Sequence, residues 1–217
     1  MTKKPRVLLA DDHTLVLEGF KKLLEERCEV VGVVEDGRSL LEAAERLQPD
    51  IITLDISMPL LNGIDAARQL KKIAPDAKLI MVTMHADQAY VRQAFQAGAS
   101  GYLLKRSAGS ELNQAIQAVI SGNYYVTSLI AKELVRSAIA PGHIPMVKGE
   151  TLTLRQREVL QLVAEGQTVK EIAATLGISP KTVEFHKTQI MEQLDLYTTA
   201  DLTKYALTHG LIAPEDS

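Results

Sequence analysis

The sequence predicts an α/β fold, a doubly wound five-stranded parallel sheet covered on both faces, followed by a smaller all-α domain of four helices. Three observations carry this expectation. Short apolar runs near 6–10, 30–34, 51–54, 79–83 and 101–104 are bounded by turn residues, as strands are. Helical patterns separate them, so strand and helix alternate five times between Arg6 and Ser121. Beyond about residue 150 the strand pattern stops, and caps, glycines and a proline punctuate a series of helices.

The first helix is expected to bury Leu15, Leu17, Phe20, Leu23 and Leu24, and the second Leu40, Leu41, Ala44 and Leu47 before Pro49 stops it. Cys28 reads as a small core residue between the first helix and the second strand. Leu129 to Ile139 reads as one more helix. The run Ala140-Pro141-Gly142-His143-Ile144-Pro145 then breaks the chain. The divisions expected are a first domain over 5–121, a linker helix and flexible linker over 122–151, and a helical domain over 152–217.

In the last segment a helix is expected from Leu152 to Glu165, closed by Gly166. Thr168-Val169-Lys170-Glu171 has the spacing of a capping box and opens a short helix through Leu176. Gly177 and Ile178 make the turn. Ser179 and Pro180 supply an N-cap and a first-turn proline for a helix to about Leu194. Two helices joined by a short glycine-containing turn form a helix-turn-helix. A final helix runs from about Thr199 to His209.

Composition narrows the setting. One cysteine excludes an intramolecular disulfide, which fits a reducing cytoplasm. Met1 to Arg6 leads into a strand with no signal-peptide apolar region, and no run approaches a membrane span. A cytoplasmic protein without a membrane partner is therefore expected. Charge is unevenly divided: residues 1–139 balance at zero, whereas residues 150–217 carry −4.

Chemistry gathers at the strand ends. Asp11 and Asp12, Asp55, Thr83 and Lys105 each follow one of the apolar runs, and such positions meet in one crevice of an open parallel sheet. Any one acid there could equally be a helix cap or a turn residue. Jointly, three acids, a hydroxyl and an ammonium suit Mg²⁺ and a phosphoryl group. Asp55, on the central strand, is the best candidate for a covalent acceptor. Asp11, Asp12 and Asp55 can supply carboxylates to the ion, and the Ser57 carbonyl a further ligand. A phosphatase built on an Asp-ended strand would want a second Asp where Ser57 stands. A flavin phosphate would be repelled by Asp11-Asp12. Ser57 and His85 flank the acceptor, either shaping water access or serving as plain loop residues. His13 is expected to order the loop around the acids, in preference to serving as a metal ligand.

On the second helix of the helix-turn-helix, Val183, Ile190 and Leu194 share an inward face. Lys181, Phe185, Thr188 and Glu192 face the other way, with Glu184 and Gln189 beside them. In a major groove Phe185 can meet a thymine methyl while Lys181, Thr188 and Glu184 reach base edges. Contact with another protein surface is the competing account of Phe185. His186 and Lys187 suit phosphates, as do Lys170, Arg155 and Arg157 nearby.

Residues 5–121 resemble the receiver domain of two-component signalling. The matching text is Leu9-Ala10-Asp11-Asp12-His13, Leu54-Asp55-Ile56-Ser57-Met58-Pro59 with Asn62-Gly63, Val82-Thr83-Met84-His85, and Gly98 through Lys105. Residues 152–212 resemble the LuxR-type helix-turn-helix, through Leu152-Thr153, Arg157-Glu158-Val159-Leu160, Ala164-Glu165-Gly166, Lys170-Glu171-Ile172-Ala173, Ile178-Ser179 and Lys181-Thr182-Val183-Glu184. Together they resemble response regulators of the NarL/FixJ type. Val169 departs from the pattern by removing a polar group, and Glu192-Gln193-Leu194 by lacking a Lys before the Leu.

The resemblance implies a flavodoxin-like (βα)5 receiver whose Asp55 is phosphorylated by a sensor histidine kinase. Mg²⁺ would be held by Asp12, Asp55 and the Ser57 carbonyl, with Asp11 assisting. Thr83 and Lys105 would engage the phosphoryl group, and Thr83 with Tyr102 would form the switch. Activation would favour a homodimer able to bind double-stranded operator DNA, with Lys170, Lys181, Thr182, Glu184, Phe185, His186, Lys187 and Thr188 at the nucleic acid. RNA polymerase is a further implied partner. Chemistry would be confined to self-phosphorylation and autodephosphorylation at Asp55, so no enzyme is expected. A phosphorylated adaptor without DNA and a phosphorylation-independent DNA binder are the alternatives.

Overall fold

The computed structural model describes residues 4–139 and 152–212, with side chains of the last helix before the break described through Arg136. These residues divide into two compact units, one holding the sheet and the other purely helical. The proline-rich segment expected as a flexible linker lies outside the described residues, as do 213–217.

The first unit runs β1 (Arg6–Ala10), α1 (Thr14–Leu24), β2 (Glu29–Val34), α2 (Gly37–Leu47), β3 (Ile51–Leu54), α3 (Gly63–Ile73), β4 (Lys78–Thr83), α4 (Gln88–Gln96), β5 (Gly101–Leu104) and α5 (Lys105–Ile120). Two further elements follow, β6 (Tyr125–Val126) and α6 (Ser128–Ile139). All strand pairs are parallel, in the order β2-β1-β3-β4-β5-β6. Strands β1, β3 and β5 are apolar almost throughout because helices cover both faces. On one face Leu17, Phe20 and Leu24 of α1 and Leu112, Ile116 and Val119 of α5 pack on Val7, Leu9, Ile80 and Leu103. Helices α2, α3 and α4 contact one another in series. The direction in which successive strands are added across the sheet reverses between β1 and β3, so their carboxyl ends open on a crevice at the switch point.

In this unit two expectations need correction. The sheet has six strands, not five. Two-residue β6 is too short to show an alternating pattern, and its place is fixed by tertiary bonds. Gly122 turns the chain out of α5 at φ +81°, a left-handed conformation suited to glycine. Tyr125 N–H then donates to the Ser100 carbonyl and Thr127 N–H to that of Tyr102, each at 3.0 Å. The buried Thr127 hydroxyl also pairs with Ser107 and with the Glu111 carboxylate. Secondly, Leu15 is 87% exposed and outside the core. It lies 200° around the helix from Leu17. Cys28 is buried where expected.

The helical unit consists of α7 (Leu154–Ala164), α8 (Val169–Leu176), α9 (Pro180–Leu194) and α10 (Thr199–Thr208). Helix α7 begins two residues later than expected, because Thr153 is its N-cap, in a reciprocal capping box with Gln156. Thr168 and Glu171 form the expected box at α8, Gly177 ends α8 in the left-handed region, and Ser179 caps α9 ahead of Pro180. A third box, Thr198 with Asp201, starts α10. Val159, Leu160, Ile172, Leu176, Val183, Ile190, Leu202 and Ala206 make the shared core.

The Thr168 backbone N–H and hydroxyl each donate to Glu171 Oε2 at 2.7 Å, which holds that carboxyl below its usual 4.5. Its contribution to stability is therefore present above the unfolded pKa and lost as pH falls through the lower folded value. Thr168→Ala should cost about 1 kcal/mol at neutral pH and less below that window. Hydrogen exchange of the α8 amides at neutral and acid pH reads both effects.

Candidate functional site

Backbone bonds at the switch point bring the acids together. Asp11 N–H donates to the Val34 carbonyl at 3.1 Å and Asp55 N–H to the Ala10 carbonyl at 3.0 Å, so β1 is tied to both neighbours where it ends. Asp11 and Asp55 are buried while Asp12 is exposed. Lys105, the first residue of α5, places Nζ 2.7 Å from Asp55 Oδ2 and 2.9 Å from both Asp11 oxygens. Asp55 Oδ1 accepts from the Ile56 N–H at 2.6 Å. One further group joins them: His13 Nδ1 lies 3.1 Å from Asp11 Oδ1 and 2.9 Å from Asp12 Oδ1.

Burial raises the Asp11 carboxyl above its usual range, the Lys105 hydrogen bond offsets part of this, and the nearby Asp55 charge pushes it further up. For Lys105, burial pulls the ammonium down, but attraction to Asp55 and bonds to Asp11 and Asp55 outweigh it and leave it raised. Three carboxylates face one ammonium, so two negative charges stay uncompensated. That deficit, with oxygen donors whose atoms lie within 4.8 Å of one another, fits a divalent cation.

The remaining site residues sit around His85. The Thr83 side chain is fully buried and its hydroxyl accepts from the His85 N–H at 3.4 Å. The Tyr102 hydroxyl, also buried, donates to the His85 carbonyl at 2.9 Å. Burial pushes the Tyr102 phenol far up, so it acts as a neutral donor. His85 Nε2 meets Ser57 Oγ at 2.8 Å, and the ring stacks on Tyr90 with centroids 4.2 Å apart. Burial lowers the His85 pKa against the pull of Asp55. Ser57, Thr83, His85 and Tyr102 are thus one bonded group, with Tyr90 supporting it. Tyr90 was not singled out from the sequence, because a tyrosine in the first turn of an amphipathic helix has no distinguishing pattern.

Gly63 was visible only as part of a motif. A Cβ there would fall 1.9 Å from the Asp55 carbonyl oxygen, and its N–H donates to the Ile56 carbonyl at 2.8 Å. The start of α3 can approach the backbone at the end of β3 only with hydrogen at this position.

In the helical unit, α9 presents Lys181, Glu184, Phe185, Thr188, Gln189 and Glu192 to solvent, with Phe185 57% exposed. Val183 and Ile190 are buried and Leu194 is half-buried. Thr182, His186 and Lys187 are half-buried at the flanks, and Thr182 Oγ1 pairs with Ser179 Oγ at 2.8 Å. Lys170 is exposed at the start of α8. Arg155 is already engaged: its guanidinium holds Glu158 at 2.7 Å and the Leu176 carbonyl at 3.0 Å, clamping α7 to the end of α8.

The response regulator receiver domain family matches residues 7–117, and the luxR family of bacterial regulatory proteins matches residues 150–206. The chain belongs to the response regulators. It is similar to the transcriptional regulatory protein MctR of Rhizobium johnstonii, 37% identical over 98% of this chain and 99% of that one. The response regulator RcsB of Salmonella typhimurium superposes with a TM-score of 0.63 at 29% identity, over 95% of this chain and 98% of that one. RcsB solved in complex with DNA gives 0.58 at 29% identity, over 94% and 98%. The family expected from the motifs is therefore the family of the chain. Among the described residues, no helix of this response regulator is long and apolar enough to cross a membrane.

Gly63→Ala in this response regulator should cost about 3 kcal/mol or more, at the upper end of overpacking penalties, because its contact is with backbone. A thermal unfolding midpoint equal to that of the unchanged protein would count against the close approach.

Proposed function

We propose that this response regulator is a cytoplasmic transcription regulator in which phosphorylation of Asp55 controls DNA binding by α9. The observation that carries the reading is the placement of Asp55 beside Lys105, Asp11 and Asp12 at the switch point. In the reaction, an Asp55 carboxylate oxygen attacks the phosphorus of a phosphohistidine on a sensor kinase. The P–O bond forms as the P–N bond breaks, and the imidazole leaves. Mg²⁺, held by Asp11, Asp12, Asp55 and the Ser57 carbonyl, would neutralise charge on the transferring group. Lys105, already 2.7 Å from Asp55, pairs with the new phosphoryl charge, and the Thr83 hydroxyl donates to it.

Recruitment of Thr83 draws on the group it belongs to. Its hydroxyl now accepts from His85 N–H, and the His85 carbonyl holds Tyr102, so a shift of Thr83 reaches Tyr102 through one residue. Thr83 and Tyr102 thereby bias an equilibrium between domain arrangements, one of which is a dimer competent for DNA. Water then hydrolyses the acyl phosphate at Asp55, which resets the protein without making it an enzyme for another substrate.

Lys181, Glu184, Phe185 and Thr188 would read base edges, while Lys170, Thr182, His186 and Lys187 would meet the backbone. A related response regulator, RcsB, has been solved in complex with DNA, which supports DNA binding as the output of this chain. The −4 charge of residues 150–217 makes local placement of the lysines decisive, since phosphate neutralisation supplies non-specific affinity. RNA polymerase is the partner through which bound protein would alter transcription.

Sedimentation and footprinting on one sample, with and without beryllofluoride and Mg²⁺, test the gating. Activation should raise the mass towards a dimer and extend protection, and Asp55→Asn should abolish both the response and labelling by small phosphodonors. An identical mass and footprint in both states would remove the mechanism. Phe185→Ala should flatten the preference at one base step by roughly 1 kcal/mol, the low end of the cost of a mismatched pair. A competition binding series over single-base operator variants reads that change.

A further inference from the structure

Helix α6 begins on the backbone of Tyr102. Thr127 precedes it, and its carbonyl accepts the Ala131 N–H at 3.0 Å, the first bond of the helix. The Thr127 N–H donates in turn to the Tyr102 carbonyl at 3.0 Å. Its hydroxyl, buried with the rest of the side chain, is held from α5 by Ser107 and Glu111. Tyr102 is therefore gripped at both ends, its hydroxyl by the His85 carbonyl and its own carbonyl by the start of α6.

A second tie reaches α6 from α4. Gln88, the first residue of α4, donates through Nε2 to the Glu133 carbonyl at 3.4 Å. Helix α6 thus bonds to both elements that flank the loop carrying His85. Thr127, Ile130, Ala131 and Leu134 form its inward stripe at i, i+3, i+4 and i+7, while Ser128, Lys132, Glu133 and Arg136 are exposed.

This seat is shallow. Ile130 is the fully buried apolar anchor of the stripe, whereas Leu129 and Val135 stand in solvent. One turn beyond Gln88 on the same face of α4, Arg92 Nε is buried with no hydrogen-bond partner among the described residues. An N–H left so costs stability that solvent would restore. A helix with one deep anchor, seated beside an unsatisfied donor, is suited to leave without unfolding the sheet.

We infer that α6 is a strap over the edge formed by β5 and α4, closed in the unphosphorylated protein and released when Thr83 is recruited to the phosphoryl group. The bonds of the closed strap fit the arrangement in which Thr83 accepts from the His85 N–H. Recruitment of Thr83 gives up that bond and displaces the loop between the two ties, so the phosphoryl group favours the open strap. Coupling is reciprocal, and a closed strap therefore opposes phosphorylation. Gln88, Thr127 and Ile130 are positioning residues in this device, since none touches Asp55. The inference rests on the proposed phosphorylation of Asp55 and adds the element that the switch moves.

The test uses the full-length protein with Mg²⁺, with and without beryllofluoride, followed by hydrogen exchange. Protection of the amides of Ala131 to Arg136 should fall roughly tenfold or more on activation, while those of α5 hold. Ile130→Ala, which weakens the seat, should bind beryllofluoride about fivefold tighter or more, the low end of a typical coupling. General damage to the fold would weaken that binding instead, so an unchanged or lower affinity overturns the strap. Exchange that changes between Thr83 and Gln88 but not in α6 also overturns it, and leaves phosphorylation of Asp55 standing. Failure of beryllofluoride to bind at all overturns both. The exchange result comes from the unchanged protein, so it stands however well the variant folds.

Discussion

The ammonium of Lys105 shared between the buried carboxylates of Asp11 and Asp55 is the interaction on which the first unit depends. Two like charges held this close and away from water would not both stay ionised without a cation between them. The strand order makes the meeting possible. Strands β1 and β3 are neighbours, so their terminal acids face each other across the switch point. Strand β5, which leads into Lys105, lies two strand spacings from β3, about 10 Å. Only a long side chain spans that gap. A lysine therefore stands where the fifth strand ends, and a shorter cation carrier would leave the acids unpaired.

The same constraint explains why much of this site was legible in the sequence. Strand ends are marked by apolar runs, and Asp11, Asp12, Asp55, Thr83 and Lys105 all stand at such ends. Alternation and helical periodicity gave the five long strands to within a residue, and the caps Thr168 and Ser179 announced α8 and α9. What pattern could not show was anything held by tertiary contacts alone. Strand β6 exists because Tyr125 and Thr127 find carbonyls on the neighbouring strand's side. Leu15 looked like core because leucine is apolar, although its angle around α1 faces water. Tyr90 became visible only once His85 lay against it.

Charge needed the structure most. Composition alone gave the helical unit an acidic balance, which says nothing about the surface of α9. Val183 and Ile190 turn inward, and this leaves Lys181, Phe185 and Thr188 together on one exposed face, with Glu184 and Glu192 among them. Arg155 shows the opposite case. Its sequence position suggested a phosphate contact, yet its guanidinium is spent on Glu158 and on the last turn of α8. A basic residue next to a recognition element is as readily a structural clamp as a reader.

The pairing of β6 with β5 also sets where this chain can be cut. A fragment ending at Ser121 keeps Asp11, Asp12, Asp55, Thr83, Tyr102 and Lys105 but removes the segment that covers β5. The peptide groups of Ser100 and Tyr102 would then face solvent as an open sheet edge, a template for another chain to join. Self-association of such a fragment would report the missing strand. A fragment that keeps this edge covered therefore has to retain β6 and Thr127.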